Sequence, residues 1–202
     1  SFSGNIPPFQ LTAMTFFIAF LAGTVYFIRS GCDYKSLKQP TSVWINGILG
    51  LFGYHTLYFM AMKSAPAIEA SLIAYLWPIL LVLFSSFLPG EKLRWFHLLG
   101  VVLGFGGIIL LLRKNGPISL NSRYVTGYVF AFSCAVIWSV YSVISRKNRS
   151  APTMLIGAFC GVTAVLALVC HLAFEKTVLP KTSEWLAILA LGIGPVGLAF
   201  FT

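Results

Sequence analysis

Six side chains that combine an aromatic ring with a polar atom lie in the middle of long apolar stretches of this sequence. They are Tyr54, His55, Tyr58, Trp77, Trp138 and Tyr141. Tyr and Trp in membrane proteins are enriched at the two interfaces, so this placement needs another explanation. Rings that stack, together with groups that hydrogen-bond, suit the binding of an aromatic or apolar solute with a polar end. The sequence therefore predicts a substrate-binding site, and packing of these rings between helices is the alternative.

The spacing of these residues predicts that some share one side of a helix and that one lies beside a helix break. Tyr54 and Tyr58 are four residues apart, so both lie on one side of a helix. Pro78 directly follows Trp77, and a proline inside a helix removes a backbone hydrogen bond and can kink the helix. The carbonyl group that this frees has to face protein or water rather than lipid. We therefore expect Pro78 to kink or gate a helix that lines a cavity.

Two ionisable residues lie within or at the edge of these stretches. His55 is near the middle of one, and an ionisable residue inside a membrane is by default a functional candidate. We expect its imidazole to hydrogen-bond to substrate or to a neighbouring helix, and a proton-carrying role is the alternative. Glu69 lies in the first turn after Pro66, where the helix dipole favours a carboxylate. A capping role for Glu69, with Lys63 as its ion-pair partner, is therefore predicted.

The sequence lacks the motifs of bond-making chemistry. It contains no catalytic pair of carboxylates, no Ser/His/Asp set, no glycine-rich phosphate loop and no metal-ligand cluster. The cysteines are sparse and mostly lie in apolar runs, which excludes a disulfide-stapled secreted domain and a structural zinc site. They are Cys32, Cys134, Cys160 and Cys170. We therefore predict a protein that recognises a solute and is not an enzyme, with no cofactor and no metal.

The composition indicates what has to position these side chains. Of the 202 residues, 58% are hydrophobic and 9% are charged, whereas soluble domains carry about 25% charged residues. The chain therefore belongs in a lipid bilayer. It has 14 basic residues against five acidic ones, but the basic residues lie in short gaps between apolar stretches. This distribution excludes a nucleic-acid-binding face.

Seven stretches are long enough to cross the hydrocarbon core, which takes roughly 20 helical residues. They run from Phe9 to Ile28, Val43 to Met62, Pro66 to Leu88, Trp95 to Leu112, Tyr124 to Ser145, Met154 to Phe174 and Trp185 to Phe201. Runs such as residues 79–84 and 101–112 are apolar on every face, which excludes the alternation of a transmembrane barrel. The prediction is an all-α polytopic membrane protein with seven transmembrane helices.

Two rows of glycine residues mark helix faces without side chains. They are Gly47, Gly50 and Gly53, and separately Gly100, Gly104 and Gly107. Small residues let neighbouring helices approach closely, so both rows are predicted to be packing faces. The same glycine rows could also let neighbouring helices slide past one another during transport.

An internal repeat relates the second of these stretches to the seventh. At one constant offset the matching pairs are Trp44 with Trp185, Gly53 with Gly194, Leu57 with Leu198 and Phe59 with Phe200. An odd number of helices in each copy inverts the second copy, as in many secondary transporters. The repeat predicts a first copy over residues 1–113 without its first helix, a loop over residues 114–123, and three helices of a second copy over residues 124–202. The first, ninth and tenth helices are expected outside this sequence.

Five short segments together resemble the EamA-type drug/metabolite transporters. They are residues 6–9 (IPPF), 53–59 (GYHTLYF), 65–73 (APAIEASLI), 75–78 (YLWP) and 89–91 (PGE). The resemblance covers essentially the whole chain. It implies ten helices in two inverted five-helix repeats, of which this chain holds the second to the eighth.

The resemblance also implies a function, because within that superfamily the segments are similar to those of bacterial aromatic amino-acid exporters. Such a protein exports aromatic and other apolar amino acids across the bacterial inner membrane, by alternating access through a central aromatic-lined cavity. Its partners are an amino-acid substrate and the lipid bilayer, with proton coupling left open. Two alternatives stand beside this one. They are a multidrug or organic-cation exporter, since an aromatic cage also suits cations, and a membrane scaffold that transports nothing.

Overall fold

A computed structural model describes residues 6–30, 37–88, 91, 94–113, 121–147 and 154–194, and helices make up most of this part of the chain. The α-helices are α1 (Pro8–Ser30), α2 (Thr41–Ile48), α3 (Tyr54–Ser64), α4 (Ala67–Ala74), α5 (Trp77–Ser85), α6 (Trp95–Arg113), α7 (Val125–Lys147), α8 (Met154–Phe174) and α9 (Thr182–Ile193). A π-helix, Leu49–Gly53, joins α2 to α3, and a 3-10 helix, Ser122–Tyr124, precedes α7. The predicted all-α class is confirmed for the described residues.

The helices follow the predicted stretches closely. Helices α1, α6, α7 and α8 begin and end within about two residues of the predicted limits, which is the usual uncertainty of helix ends. The second stretch contains α2, the π-helix and α3 in succession, and the third contains α4 and α5. In the region of the seventh stretch, α9 begins at Thr182, three residues before the predicted start at Trp185. The predicted continuation of that helix over residues 195–201 lies outside the described residues.

Four helical segments of the described residues are long and apolar enough to cross a bilayer. They are Pro8–Arg29, Ala67–Ser85, Ser122–Lys147 and Leu155–Phe174, with a mean hydropathy between 1.7 and 2.3. The helices Trp95–Gly107 and Thr182–Ile193 are apolar but shorter. Large apolar side chains are exposed on these helices, and Leu172, for example, is 70% exposed. Such faces are expected where helices contact lipid tails.

The helices form two compact units. The first unit contains residues 1–52 and 148–202, and the second contains residues 53–147. Helices α1, α2, α8 and α9 therefore belong to the first unit, and α3 to α7 belong to the second. The division falls inside the π-helix Leu49–Gly53. Short π-helical turns within longer helices are frequent at functional sites.

In the first unit, α1 packs along α8 and also against α9, and α8 makes a smaller contact with α2. The helices approach one another most closely at small residues. A Cβ atom at Gly161 would lie 2.8 Å from the ring of Phe20, and one at Gly192 would lie 2.8 Å from Cβ of Ile18. Phe16 of α1 is 1% exposed within this core. Close packing of apolar faces around small residues is the usual basis of helix association in lipid.

A buried polar cluster joins the start of α1 to the end of α8. The Glu175 carboxylate accepts hydrogen bonds from the backbone N–H groups of Phe9 (3.1 Å) and Gln10 (3.2 Å), which have no partner within their own helix. It also contacts Nδ1 of His171 at 3.1 Å, and both of these side chains are 4% exposed. The Gln10 side chain adds hydrogen bonds of 2.6 and 3.0 Å to the backbone of Val178. This cluster holds the two helix ends together.

Helix α7 is the centre of the second unit, where it packs against α3, α4 and α5. The core around its first half consists of small side chains, namely Ala61, Ala65, Ala70 and Ala131. Gly127 brings α7 onto the end of α3. A Cβ atom at Gly127 would lie 2.6 Å from Cβ of Ala65 and 2.8 Å from the carbonyl carbon of Ser64. Backbone and small side chains therefore pack here with no space for a methyl group.

The two predicted glycine faces differ. Gly47 of α2 lies directly against the ring of Phe159 of α8, so close packing is confirmed at that position. A Cβ atom built at Gly100, Gly104 or Gly107 of α6 meets no described atom within 4 Å. Among the described residues, the prediction of a packing face on α6 is therefore wrong. The physical reason is that α6 contacts α4 and α5 through other parts of its surface.

Replacing Gly127 by alanine is expected to destabilise the protein, because the added methyl group overlaps Ala65 and the Ser64 backbone. Overpacking of this kind costs about 1–3 kcal/mol. Thermal unfolding of the purified protein in detergent measures the loss. Gly104→Ala is the matched control, since it adds the same methyl group where no described atom lies within 4 Å. Equal melting temperatures for the two variants would contradict the close approach of α3 and α7.

Candidate functional site

Four of the six predicted site residues form one group of rings in the second unit, where α3 packs against α7. We call Tyr54, Tyr58, Trp138 and Tyr141 the aromatic cluster. The ring centroids of Tyr54 and Trp138 lie 5.0 Å apart, with the ring planes tilted by 49°. Tyr58 stacks on Tyr54 at 6.0 Å, and Tyr141 lies 5.5 Å from Trp138. These separations lie in the range that aromatic pairs favour.

The members of the aromatic cluster differ in exposure. Tyr54, Tyr58 and Trp138 are half-buried, and Tyr54 lies beside the thiol of Cys134. Tyr141 is 8% exposed. A half-buried ring keeps part of its face available to a solute, whereas a buried ring packs against protein. Tyr141 therefore packs against Trp138 within the unit, and the other three rings keep part of their surface exposed.

His55 borders the aromatic cluster. Its imidazole meets the ring of Tyr54 edge-on, with centroids 5.2 Å apart and planes at 79°. On its other side the ring of Phe59 lies 6.4 Å away. Because consecutive residues of a helix point about 100° apart, His55 occupies the side of α3 next to the Tyr54 and Tyr58 face. The imidazole is thus held among rings, where a neutral or charged nitrogen can hydrogen-bond.

The helix break next to Trp77 connects α5 to the same part of α7. Helix α4 ends at Ala74 and α5 begins at Trp77, so that Pro78 lies in the first turn of α5. A proline is tolerated there because the first backbone N–H groups of a helix have no partner within it. Ser139 of α7 donates a hydrogen bond from Oγ to the carbonyl oxygen of Trp77 at 2.8 Å. A polar contact between helices therefore lies at the break, as an interrupted helix in lipid requires.

The indole ring of Trp77 does not join the aromatic cluster. Trp77 is half-buried, and its contact with α7 runs through its backbone carbonyl to Ser139. Within the described ranges, no ring stacks on it. The structure thus brings together the predicted residues of α3 and α7, and it attaches Trp77 to them through the backbone.

Glu69 lies in a contact that sequence reasoning missed. It was predicted to pair with Lys63, but the structure shows the hydroxyl of Tyr128 on α7 donating to Oε2 of Glu69. Glu69 is 6% exposed. The Tyr128 oxygen also accepts a hydrogen bond from the backbone N–H of Asn121 at 3.2 Å. Tyr128 lies near the start of a predicted membrane helix, where tyrosine is an ordinary residue, so type and position alone did not single it out.

A separate apolar cavity lies in the first unit. Its volume is about 770 Å³, and α1, α2 and α8 line it with residues that include Phe17, Phe20, Trp44 and Val165. Phe17 is 52% and Val165 61% exposed, so the cavity is open at the outer face of these helices. None of the predicted site residues lines it. A purely apolar lining offers no group to orient the polar end of a solute.

The chain matches the model of the EamA-like transporter family over residues 1–113 and 125–202. The chain belongs to this family. An EamA-like transporter built from these apolar helices is a multi-pass membrane protein. If the aromatic cluster binds a substrate, that substrate is a solute that the transporter moves across the membrane. The match also confirms the resemblance found in the sequence.

Named relatives of this EamA-like chain include exporters. The aromatic amino acid exporter YddG of Ancylobacter novellus is 52% identical over all of this chain and 71% of its own length. The Escherichia coli exporter of the same name is 30% identical over 56% of this chain and 43% of its own length. The pseudopaline exporter CntI of Pseudomonas aeruginosa is 31% identical over 74% of this chain and 51% of its own length. This chain therefore spans part of each relative.

A solved crystal structure has the same fold as this EamA-like chain. It superposes with a TM-score of 0.94 at 51% sequence identity, over all of this chain and 71% of the other chain. At this similarity the helix arrangement of the described residues is that of the solved protein.

Proposed function

We propose that this protein exports amino acids, aromatic and other apolar ones, across the bacterial inner membrane by alternating access through a central cavity lined by aromatic side chains. The observation that carries the proposal is the contact between half-buried Tyr54 and Trp138, whose ring centroids lie 5.0 Å apart. It occurs in a chain 52% identical to an aromatic amino acid exporter. Stacking rings recognise aromatic and apolar side chains without bonds to any one substituent.

Each part of the site has a role in this proposal. Tyr54, Tyr58 and Trp138 present ring faces to the substrate side chain, and Trp77 adds its half-buried indole from α5. His55 hydrogen-bonds to the polar end of the substrate or to a neighbouring helix. The break at Pro78 allows α4 and α5 to tilt separately as the protein rocks, because the backbone hydrogen bonds are already interrupted there.

We extend the proposal to the architecture, namely two inverted five-helix repeats that divide between residues 113 and 124. Three observations support it. The family match falls into two segments separated at the predicted inter-repeat loop. If α8 repeats α1 and α9 repeats α2, the contact of α1 with α9 is equivalent to that of α2 with α8, and both contacts occur. Gly53 and Gly194, which the sequence repeat pairs, both lie in π-helical turns.

Cysteine accessibility separates a transporter from a scaffold that transports nothing. We expect Tyr58→Cys in membranes to react with a membrane-impermeant thiol reagent, and phenylalanine to slow the reaction. Ala61→Cys is the matched control, because Ala61 lies three residues further along α3 and is 0% exposed. The native cysteines give the background in the unsubstituted protein. Equal and low labelling of both variants would favour a packed scaffold.

Replacing His55 by glutamine is expected to leave transport within a few-fold of the unsubstituted protein. Glutamine supplies a hydrogen-bond donor and an acceptor but does not titrate. Because we assign His55 a hydrogen-bonding role, the pH dependence of transport in proteoliposomes should also persist. Loss of that pH dependence, with transport retained at one pH, would assign proton transfer to His55 and contradict this role.

A further inference from the structure

In the buried hydrogen bond between Glu69 and Tyr128 of the second unit, the neighbouring backbone determines which side chain is the donor. The backbone N–H of Asn121 donates to the Tyr128 oxygen at 3.2 Å. A backbone amide can only donate, so this bond occupies an acceptor site of Tyr128 and leaves its O–H free to donate. That O–H donates to Oε2 of Glu69. Glu69 is therefore held as an acceptor, and its orientation is set by a residue outside α4.

Among the described residues of the second unit, no basic side chain forms an ion pair with this carboxylate. Glu69 is 6% exposed, and within the described ranges Tyr128 is its hydrogen-bonding partner, with no Lys or Arg side chain at ion-pair distance. Its partner Tyr128 packs against the alanine core of the same unit. A buried carboxylate without a cation is costly in protein and more so in a membrane.

The same two helical segments connect Glu69 to the aromatic cluster. From Glu69 the chain runs eight residues to Trp77, and from Tyr128 ten residues to Trp138, with Ser139 bonded to the Trp77 carbonyl. At 1.5 Å per residue, the pair lies about 12–15 Å along the helices from the cluster level. Tyr58, one turn beyond Tyr54 on antiparallel α3, lies between the two levels. An ammonium group bound at Glu69 would thus lie beyond Tyr58, on the side of it away from Tyr54.

We propose that Glu69 and Tyr128 form a second binding station, in which the carboxylate binds the α-ammonium group of the amino acid. This proposal rests on the amino-acid transport proposed above and assigns a specificity role to Glu69. An ammonium N–H group donates to Oε1 and supplies the missing charge, while Tyr128 holds Oε2. The ligand chemistry is a primary ammonium next to an apolar or aromatic body. Tyr128 is a positioning residue that acts through Glu69.

Direct binding to the purified full-length protein tests the proposal, with two probes that each keep one charged group of phenylalanine. Phenethylamine has the ring and the ammonium group, and 3-phenylpropanoate has the ring and the carboxylate. Calorimetric titration should show Glu69→Gln weakening phenethylamine binding about tenfold or more, because charged hydrogen bonds are the stronger ones. Binding of 3-phenylpropanoate should stay the same or tighten. Glu91→Gln is the control, since Glu91 pairs with Arg146.

Tyr128→Phe separates charge recognition from packing. It keeps the carboxylate, so phenethylamine binding should stay within about threefold of the unsubstituted protein. Unchanged phenethylamine binding in Glu69→Gln, an equal loss of both probes, or a loss in Tyr128→Phe as large as in Glu69→Gln would overturn the proposal. Failure of the transport function is a distinct result. A protein that binds phenethylamine through Glu69 but moves no amino acid would contradict export and leave this station standing.

Discussion

Trp138→Ala is expected to raise the apparent KM for phenylalanine about 30-fold, which corresponds to roughly 2 kcal/mol of lost binding. Trp138 contributes a half-buried ring face, and it also keeps Tyr54 in place at a centroid distance of 5.0 Å. Truncation to alanine removes both effects. Transport kinetics in proteoliposomes measure the change, and the melting temperature in detergent shows how much of it reflects folding.

The matched control for this substitution is Trp95→Ala. Trp95 begins α6 and is 74% exposed, so its loss should change neither the KM nor the melting temperature appreciably. The comparison removes the general effect of deleting a tryptophan from a membrane protein. If Trp138→Ala lowers stability and transport in proportion, Trp138 is a packing residue and the binding role assigned to the cluster is wrong.

Glu175→Ala is expected to be the most destabilising of these substitutions. It removes the partner of the backbone N–H groups of Phe9 and Gln10 and of Nδ1 of His171, where the Glu175 and His171 side chains are 4% exposed. Removing one member of a buried charged network costs about 3–5 kcal/mol. For a protein of this size we expect a fall of roughly 10 °C in the melting temperature, measured by thermal unfolding in detergent.

Glu91→Ala controls for the loss of a carboxylate. Glu91 pairs with Arg146, but these side chains are 34% and 50% exposed, and exposed ion pairs contribute at most about 1 kcal/mol. Its melting temperature should stay close to that of the unsubstituted protein. A small effect for Glu175→Ala, similar to that of Glu91→Ala, would contradict the idea that this cluster holds α1 to α8.

The helices and the break in one of them could be predicted because they follow from local properties. Apolar length alone determines where helices cross a bilayer, since every backbone polar group in lipid has to be paired within its own segment. Pro78 marks the break because proline removes a donor wherever the fold places it. Tyr54 and Trp138 stood out because polar-tipped rings are unusual at mid-depth. Residue types and their spacing in the sequence were therefore sufficient to predict these features.

Contacts between distant segments of the chain could not be predicted from local residue types and spacing. Glu69 has a nearby lysine in sequence, yet its partner Tyr128 comes from a helix 59 residues further along the chain. His171 and Glu175 are four residues apart and form a local contact, but the backbone N–H groups that complete the cluster belong to α1. Gly104 shows the converse case, because helical spacing of glycines does not determine whether another helix covers them. Which faces meet depends on the whole helix arrangement.

Uptake of labelled phenylalanine into liposomes that contain the full-length protein tests the central claim most directly. Unlabelled methionine, threonine and a lipophilic cation serve as competitors, and an imposed pH gradient shows whether protons are coupled. We predict saturable uptake that the amino acids inhibit and the lipophilic cation does not. No uptake, or inhibition by the cation alone, would contradict amino-acid export and favour a multidrug or organic-cation exporter.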